Sequence, residues 1–153
     1  MIQDTEPRAR RAIVAAVQLP SVSDAELDAS LAELRQLAKT LGFQVVRTFT
    51  QKRAGFDPAG YFGVGKREEL RALVESGADI VLVDHEISPS QAHNLEKEAG
   101  GEVMDRTMVI LETFHRHAPP GAPRAQVEIA RLGYMAPRLR EAAKLAGPKD
   151  RAR

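Results

Sequence analysis

The sequence predicts an α/β protein: a small, mostly parallel sheet flanked by helices, followed by an antiparallel helical hairpin. Three observations carry that prediction. Short apolar runs, residues 12–17 (AIVAAV) and 80–83 (IVLV), read as strands buried on both faces. Segments of helical period, each stopped by glycine, alternate with them. Beyond Asp105 the strand pattern ends, and two helical segments flank a proline-rich link over residues 118–123 (APPGAP).

The elements follow in order. Residues 12–17 form the first strand. After Pro20, Ser23 and Glu26 hold the capping-box spacing with Ser23 as N-cap, and Leu27, Leu31, Leu34, Leu37, Ala38 and Leu41 recur at helical intervals until Gly42. Residues 44–50 (QVVRTFT) alternate and are β-branched, which makes the second strand. A glycine-rich loop over residues 51–66 leads to a helix over 66–75, with Leu70, Leu73 and Val74 inward and Gly77 closing it. The third strand is 80–83. Ser88 and Pro89 open the next helix, proline sitting in the first turn where an N–H is not needed, and Gly100-Gly101 stops it. Residues 102–105 (EVMD) make the fourth strand. Met108, Val109, Ile110, Leu111 and Phe114 then mark a helix. A second helix over 125–145 places Val127, Ile129, Ala130, Leu132, Tyr134, Met135, Leu139, Ala142 and Ala143 on its apolar side, with Pro137 predicting a kink.

This gives four parts: a flexible tail over 1–11, an α/β subdomain over 12–105, a helical hairpin over 106–146 and a second flexible tail over 147–153. The 153 residues suffice for one domain with a core. There is no cysteine, hence no disulfide, thiol nucleophile or thiolate metal site. No apolar run reaches the ~18–20 residues that span a bilayer, and the charged start lacks the apolar stretch of a signal peptide, so a cytoplasmic protein is expected. Net charge is +1, but its distribution is uneven. Up to Asp105 there are 12 Lys/Arg against 17 Asp/Glu, net −5; from Arg106 on there are 10 against 4, net +6. Such a split suits a basic part that meets a polyanion, or an arginine-rich solvated face.

Gly60-Tyr61-Phe62-Gly63-Val64-Gly65-Lys66 matches the phosphate-loop pattern G-x-x-x-x-G-K, yet Arg67 stands where a Ser or Thr would ligate magnesium, and no buried strand directly precedes it. The motif is read as a candidate anion or nucleotide site made of Gly63, Gly65, Lys66 and Arg67, with a tight turn carrying two exposed cations as the plain alternative. Asp84, His85, Glu86 and His93 match no defined metal geometry; Asp84, Glu86 and Ser88 are expected to cap the helix that follows. Asp105 or Thr107 caps the next helix, with Arg106 tying the two parts together. Glu112 and His115 share a helix face at i, i+3, but a di-iron bundle needs two such pairs. No catalytic residue and no metal site is assigned. The remaining signal is basic: Arg116, His117, Arg124, Arg131, Arg138 and Arg140 line the hairpin and its tip, and arginine pairs with phosphates and stacks on unpaired bases.

Four blocks in order and spacing resemble the HflX family of ribosome-associated GTPases: residues 61–70 (YFGVGKREEL), 80–95 (IVLVDHEISPSQAHNL), 103–114 (VMDRTMVILETF) and 126–139 (QVEIARLGYMAPRL). The resemblance implies an α/β subdomain, a helical hairpin, then a glycine-rich connection and a GTPase domain. It implies binding to the large ribosomal subunit and its rRNA, with the hairpin tip toward the peptidyl-transferase region, in ribosome splitting or rescue under stress. The tip, residues 117–123 (HAPPGAP), departs from the more basic stretch usual in the family. The chain reaches Arg153 before any complete phosphate loop, so GTP and magnesium are expected only in a GTPase domain outside it, joined in cis or supplied in trans. Weak ATP binding, reported for some members, would use the turn from Gly63 to Arg67. Two other readings stand beside ribosome binding: a nucleoside triphosphatase using the loop from Gly60 to Lys66, and a protein-binding regulator of a separate GTPase.

Overall fold

The computed structural model describes residues 8–118, 120–121 and 123–151, with the side chains of 142 and 145–151 left aside. Nine elements follow one another: β1 (Arg11–Gln18), α1 (Asp24–Thr40), β2 (Gln44–Lys52), α2 (Val64–Glu75), β3 (Ile80–Val83), α3 (Pro89–Ala99), β4 (Glu102–Asp105), α4 (Arg106–His117) and α5 (Arg124–Arg151). The four strands form one sheet in the order β2-β1-β3-β4, and every pairing is parallel. The predicted alternation is therefore present, and the sheet is wholly parallel.

Parallel strands need covered faces, and β1 shows why its run is apolar throughout. Ile13, Ala15 and Val17 face one layer together with Val81 and Val83, against Leu70 and Val74 of α2 and Leu95 and Ala99 of α3. Ala12, Val14 and Ala16 face the other with Ile80 and Leu82, against Leu27, Leu31, Leu34 and Ala38 of α1 and Val109 of α4. Fully buried leucines such as Leu34 and Leu70 each contribute roughly 1.5–3 kcal/mol. The capping box of α1 is closed in both directions, Glu26 N–H to Ser23 Oγ at 3.1 Å and Ser23 N–H to Glu26 Oε1 at 3.3 Å. Ser88 and Gln91 repeat it at α3.

Several expectations change. Arg11 already belongs to β1, and its N–H donates to Asp79 Oδ2 at 2.7 Å, while Arg10 pairs with Glu102, so the first tail is shorter than 1–11; residues 1–7 lie outside the described residues. The α2 helix starts at Val64, which brings Gly65 and Lys66 inside its first turn. Asp84 caps nothing: its carboxylate accepts from Ser30 Oγ at 2.6 Å and from Arg106 at 2.7 Å. A buried carboxylate that bridges α1 to α4 is worth more there than at an exposed helix end. Further, α4 packs on the sheet through Val109, so the boundary expected at 105/106 is a direct strand-to-helix passage. Finally, α5 passes Pro137 without ending and continues to Arg151, through most of the expected second tail; residues 152–153 are outside the described set. Among the described residues no helix is long and apolar enough to cross a membrane.

Candidate functional site

The glycine-rich loop is tied down by its own groups. Asp57 Oδ1 accepts the N–H groups of Ala59 and Gly60, both at 2.9 Å, and the Gly60 N–H is the main cause holding that carboxyl below its ordinary value. Asp57 and Tyr61 exchange both backbone bonds, and Gly63 N–H donates to Gln51 Oε1 at 3.0 Å. Arg67 turns inward and is only 6% exposed, with Nε 2.7 Å from Glu98 Oε2 and Nη1 3.7 Å from Asp57 Oδ1. A Cβ on Gly60 would stand 1.8 Å from Arg67 Nη1, so Gly60 provides the seat for that guanidinium. Of the four residues expected to bind an anion, Gly63, Gly65 and Lys66 meet at the first turn of α2, which has no side-chain cap. Arg67 does not join them, nor is it the exposed cation of the plain alternative. Its charge is spent on two carboxylates. Lys66 bends to Glu69 at 3.1 Å and lies over the Phe49 ring at 5.1 Å.

Open parallel sheets hold ligands in the crevice at the carboxyl ends of the strands, where the connections diverge. Here that point is between β1 and β3, and aromatic side chains occupy it. Tyr61, fully buried and at φ 69°, accepts the Val17 N–H on its hydroxyl at 2.8 Å and sits 2.5 Å from His85 Nδ1. The hydroxyl proton is thereby directed to Nδ1, which leaves the His85 proton on Nε2. Burial pushes the Tyr61 phenol up and the His85 imidazole down, so the pair is neutral. Phe56 packs against both rings, with centroids at 5.0 and 4.8 Å. An open cleft of about 580 Å³ lies instead beside the ends of β1 and β2, lined by Gln18, Leu19, Ser23, Asp24, Lys52 and Arg53 among others.

The six basic residues assigned to the hairpin divide by their carboxylate partners. The Asp105 side chain is 0% exposed and gathers four donors: Met108 N–H, Ile87 N–H, the Tyr134 hydroxyl and Arg138, the last at 2.7 Å. Arg138 also donates to Ile87 O at 2.6 Å and stacks on the Tyr134 ring at 4.0 Å. Arg131 Nε donates to buried Glu112 at 2.6 Å and its Nη1 reaches Glu128 at 3.2 Å. These two arginines clamp α5 onto the rest of the fold. Arg116 reaches Leu41 O at 3.3 Å and lies 3.9 Å from Glu112 Oε2, yet stays more than half exposed. His117, Arg124 and Arg140 are exposed and form no ion pair among the described residues. Arg116, His117 and Arg124 share the α4–α5 corner, whereas Arg140 is sixteen residues along α5, about 24 Å away at helical rise.

The sequence gives no sign of two features here. The apolar side expected of α5 is split: Val127, Tyr134 and Met135 are partly covered, while Ile129 (70% exposed), Leu132 and Leu139 face away from the fold. At the corner an open notch of about 370 Å³ lies between Phe114, His115 and Ala118 on one side and Arg124, Val127 and Glu128 on the other. Pro119 and Ala122 of the expected tip lie outside the described residues.

Residues 28–115 match the family model described as GTP-binding GTPase N-terminal. The GTPase HflX of Gluconacetobacter diazotrophicus is 42% identical over an alignment that covers 90% of this chain and 39% of that protein. The GTPase HflX of Caldanaerobacter subterraneus is 42% identical, covering 84% and 29%, and that of Thermococcus kodakarensis 39%, covering 80% and 28%. The crystal structure of a GTP-binding protein from Sulfolobus solfataricus in complex with GDP superposes with a TM-score of 0.62 at 20% identity over 88% of this chain and 40% of that one, a likeness of fold. The chain spans about two fifths or less of the length of these relatives. It belongs to the GTP-binding GTPase N-terminal family, and the HflX GTPases are its relatives.

Proposed function

We propose that this chain is a ribosome-docking module that works in the cytoplasm and carries its basic α4–α5 corner onto large-subunit rRNA, in the splitting or rescue of ribosomes under stress. The single observation behind the reading is the division of the arginines. Arg116 and Arg124, with His117 between them in sequence, stay exposed at one corner while Arg131 and Arg138 are consumed internally. The exposed guanidinium groups, Arg124 with no carboxylate partner among the described residues and Arg116 at 3.9 Å from Glu112, are the ones best placed to displace counterions from phosphate. The net +6 from Arg106 onward points the same way. The test is co-sedimentation with purified large subunits at low salt. R116E/R124E should abolish it, and each lost phosphate contact should flatten the salt dependence by roughly 0.7–0.9 in log–log slope. Arg131 is left intact, since reversing its charge would strand buried Glu112. Binding that is unchanged in the double variant rejects the corner as the docking face.

A second reading has its own observation. Ile129, Leu132 and Leu139 project from one side of α5 with no covering element among the described residues, a surface suited to a GTPase domain in cis or in trans. Crosslinking in cell extract separates the two, because the adduct would be protein and not RNA. The loop from Gly60 to Lys66 has less in its favour as an ATP site, since the N–H groups of Gly60 and Gly63 and the Arg67 side chain are engaged internally. Calorimetry with Mg-ATP on wild type and Lys66→Ala tests what remains.

A further inference from the structure

We propose that the notch between the last turn of α4 and the first turn of α5 holds one unpaired nucleotide of an RNA partner, with its base on Phe114 and its phosphate at Arg124. The assignment rests on the reading of the basic corner as an RNA-binding face and adds which RNA element it takes.

Five observations converge. The buried face of α4 runs through Met108, Val109 and Glu112, and Phe114 falls off it, 52% exposed, with its ring on the wall of the notch. The notch, about 370 Å³, is in the size range of small-ligand pockets. The one carboxylate of its lining, Glu128, pairs with Arg131 at 3.2 Å, which offsets its charge toward an anion. Arg124 is the first residue of α5, where the guanidinium and the positive end of the helix dipole meet. Arg116, two residues after Phe114 and more than half exposed, adds a second cation at the same corner for a flanking phosphate. An aromatic wall beside a cationic rim is the arrangement by which unpaired bases are held, since every base has a π-face and every nucleotide a phosphate. An apolar protein side chain would also fit the cavity. It would leave the Arg124 guanidinium on the wall of the notch unused.

The chain contains no tryptophan, so Phe114→Trp introduces a single indole reporter at the notch. The full chain is titrated with a single-stranded RNA of about ten nucleotides, the same sequence as a duplex, and large ribosomal subunits. F114W emission should be quenched by the single strand and by subunits, and left unchanged by the duplex. F114A should bind the single strand about fivefold to a hundredfold more weakly, as loss of one stacked base predicts, with duplex binding unchanged. R124E should weaken both. Phe114 is exposed, so circular dichroism of F114A should match wild type. Wild-type affinity in F114A, or F114W emission that stays unquenched or shifts to the blue without quenching, overturns the proposal, the last pointing to protein in the notch. If F114A is silent while R116E/R124E loses the subunits, the docking reading survives and the notch assignment alone fails. If wild type binds neither RNA nor subunits, both fail.

Discussion

Asp105→Ala is the most demanding perturbation of the link between α5 and the sheet. The carboxylate lies at the end of β4, has no exposed surface, and accepts from four donors on three separate segments. Met108 N–H needs it as a helix cap, a role worth about 0.5–2 kcal/mol. Arg138 needs it as counter-charge, and breaking a buried pair by removing one partner costs about 3–5 kcal/mol because the other charge is stranded. The contributions are not additive, since Arg138 retains Ile87 O and the Tyr134 ring. About 3–5 kcal/mol is the expected loss for Asp105→Ala, and less for Asp105→Asn, which keeps one acceptor oxygen. Urea unfolding reads this directly: with a slope of about 1–3 kcal/mol per molar, the midpoint should fall by roughly 2 M. Arg71→Ala, which breaks the exposed pair with Glu75, should cost about 0.5 kcal/mol or less and serves as control. A double-mutant cycle on Asp105 and Arg138 isolates their coupling. A loss under about 1 kcal/mol for Asp105→Ala, with unchanged slope, would mean that the junction does not depend on this hub.

Two glycines of the phosphate-loop motif should respond oppositely to alanine. Gly60→Ala drives a Cβ into Arg67 and should lower stability by about 1–3 kcal/mol, whereas Gly65→Ala meets open space inside α2 and should be neutral or up to about 1 kcal/mol stabilising. Thermal melts that show equal losses at both would favour a shared ligand role. The His85 imidazole, depressed by burial from its ordinary 6.5, gives a pH signature. The unfolded chain takes up its proton first, so stability present above about pH 6.5 is lost as pH falls from there through the folded value. His85→Gln should flatten ΔG against pH in that window; a slope that survives the substitution assigns the titration to another group.

The layers of the fold were legible because they follow from periodicity. An apolar run such as that of β1 has to be covered on both sides, and Ser23, Ser88 and the terminal glycines state where helices begin and stop. What was not legible depends on partners far away in sequence. Arg67 reads as an exposed loop cation because nothing local announces Glu98, 31 residues on, or that Gly60 is its seat. Asp84 reads as a cap by position, yet α1 supplies Ser30 and α4 supplies Arg106. The left-handed conformation of Tyr61 has no sequence mark at all, since the residue carries a side chain that disfavours it. It persists because the hydroxyl, once inside, finds both Val17 N–H and His85 Nδ1.

The basic face illustrates the same rule with opposite sign. Six basic residues of similar appearance lie close together in sequence, and buried carboxylates sort them. Glu128 is within reach of Arg131 at i, i+3 and was readable as its partner; Glu112 and Asp105 were not, because they sit on other elements. Each buried carboxylate demands a cation, and the fold meets that demand from the face that would otherwise serve an external polyanion. The surplus, not the total, is what can act outward. That surplus is concentrated where α4 ends and α5 begins, because there buried Glu112 is held closely by Arg131 at 2.6 Å and only loosely by Arg116 at 3.9 Å, and Arg124 has no ion pair among the described residues. Function on this face is therefore set by Asp105 and Glu112 as much as by the arginines. A variant that neutralises either acid would release a cation to the surface while loosening α5, raising non-specific RNA affinity as it lowers stability. A rise in duplex binding for Glu112→Gln, with a lower urea midpoint, is the expected joint result; lower stability with no gain in binding would show that Arg131 stays turned inward without its partner.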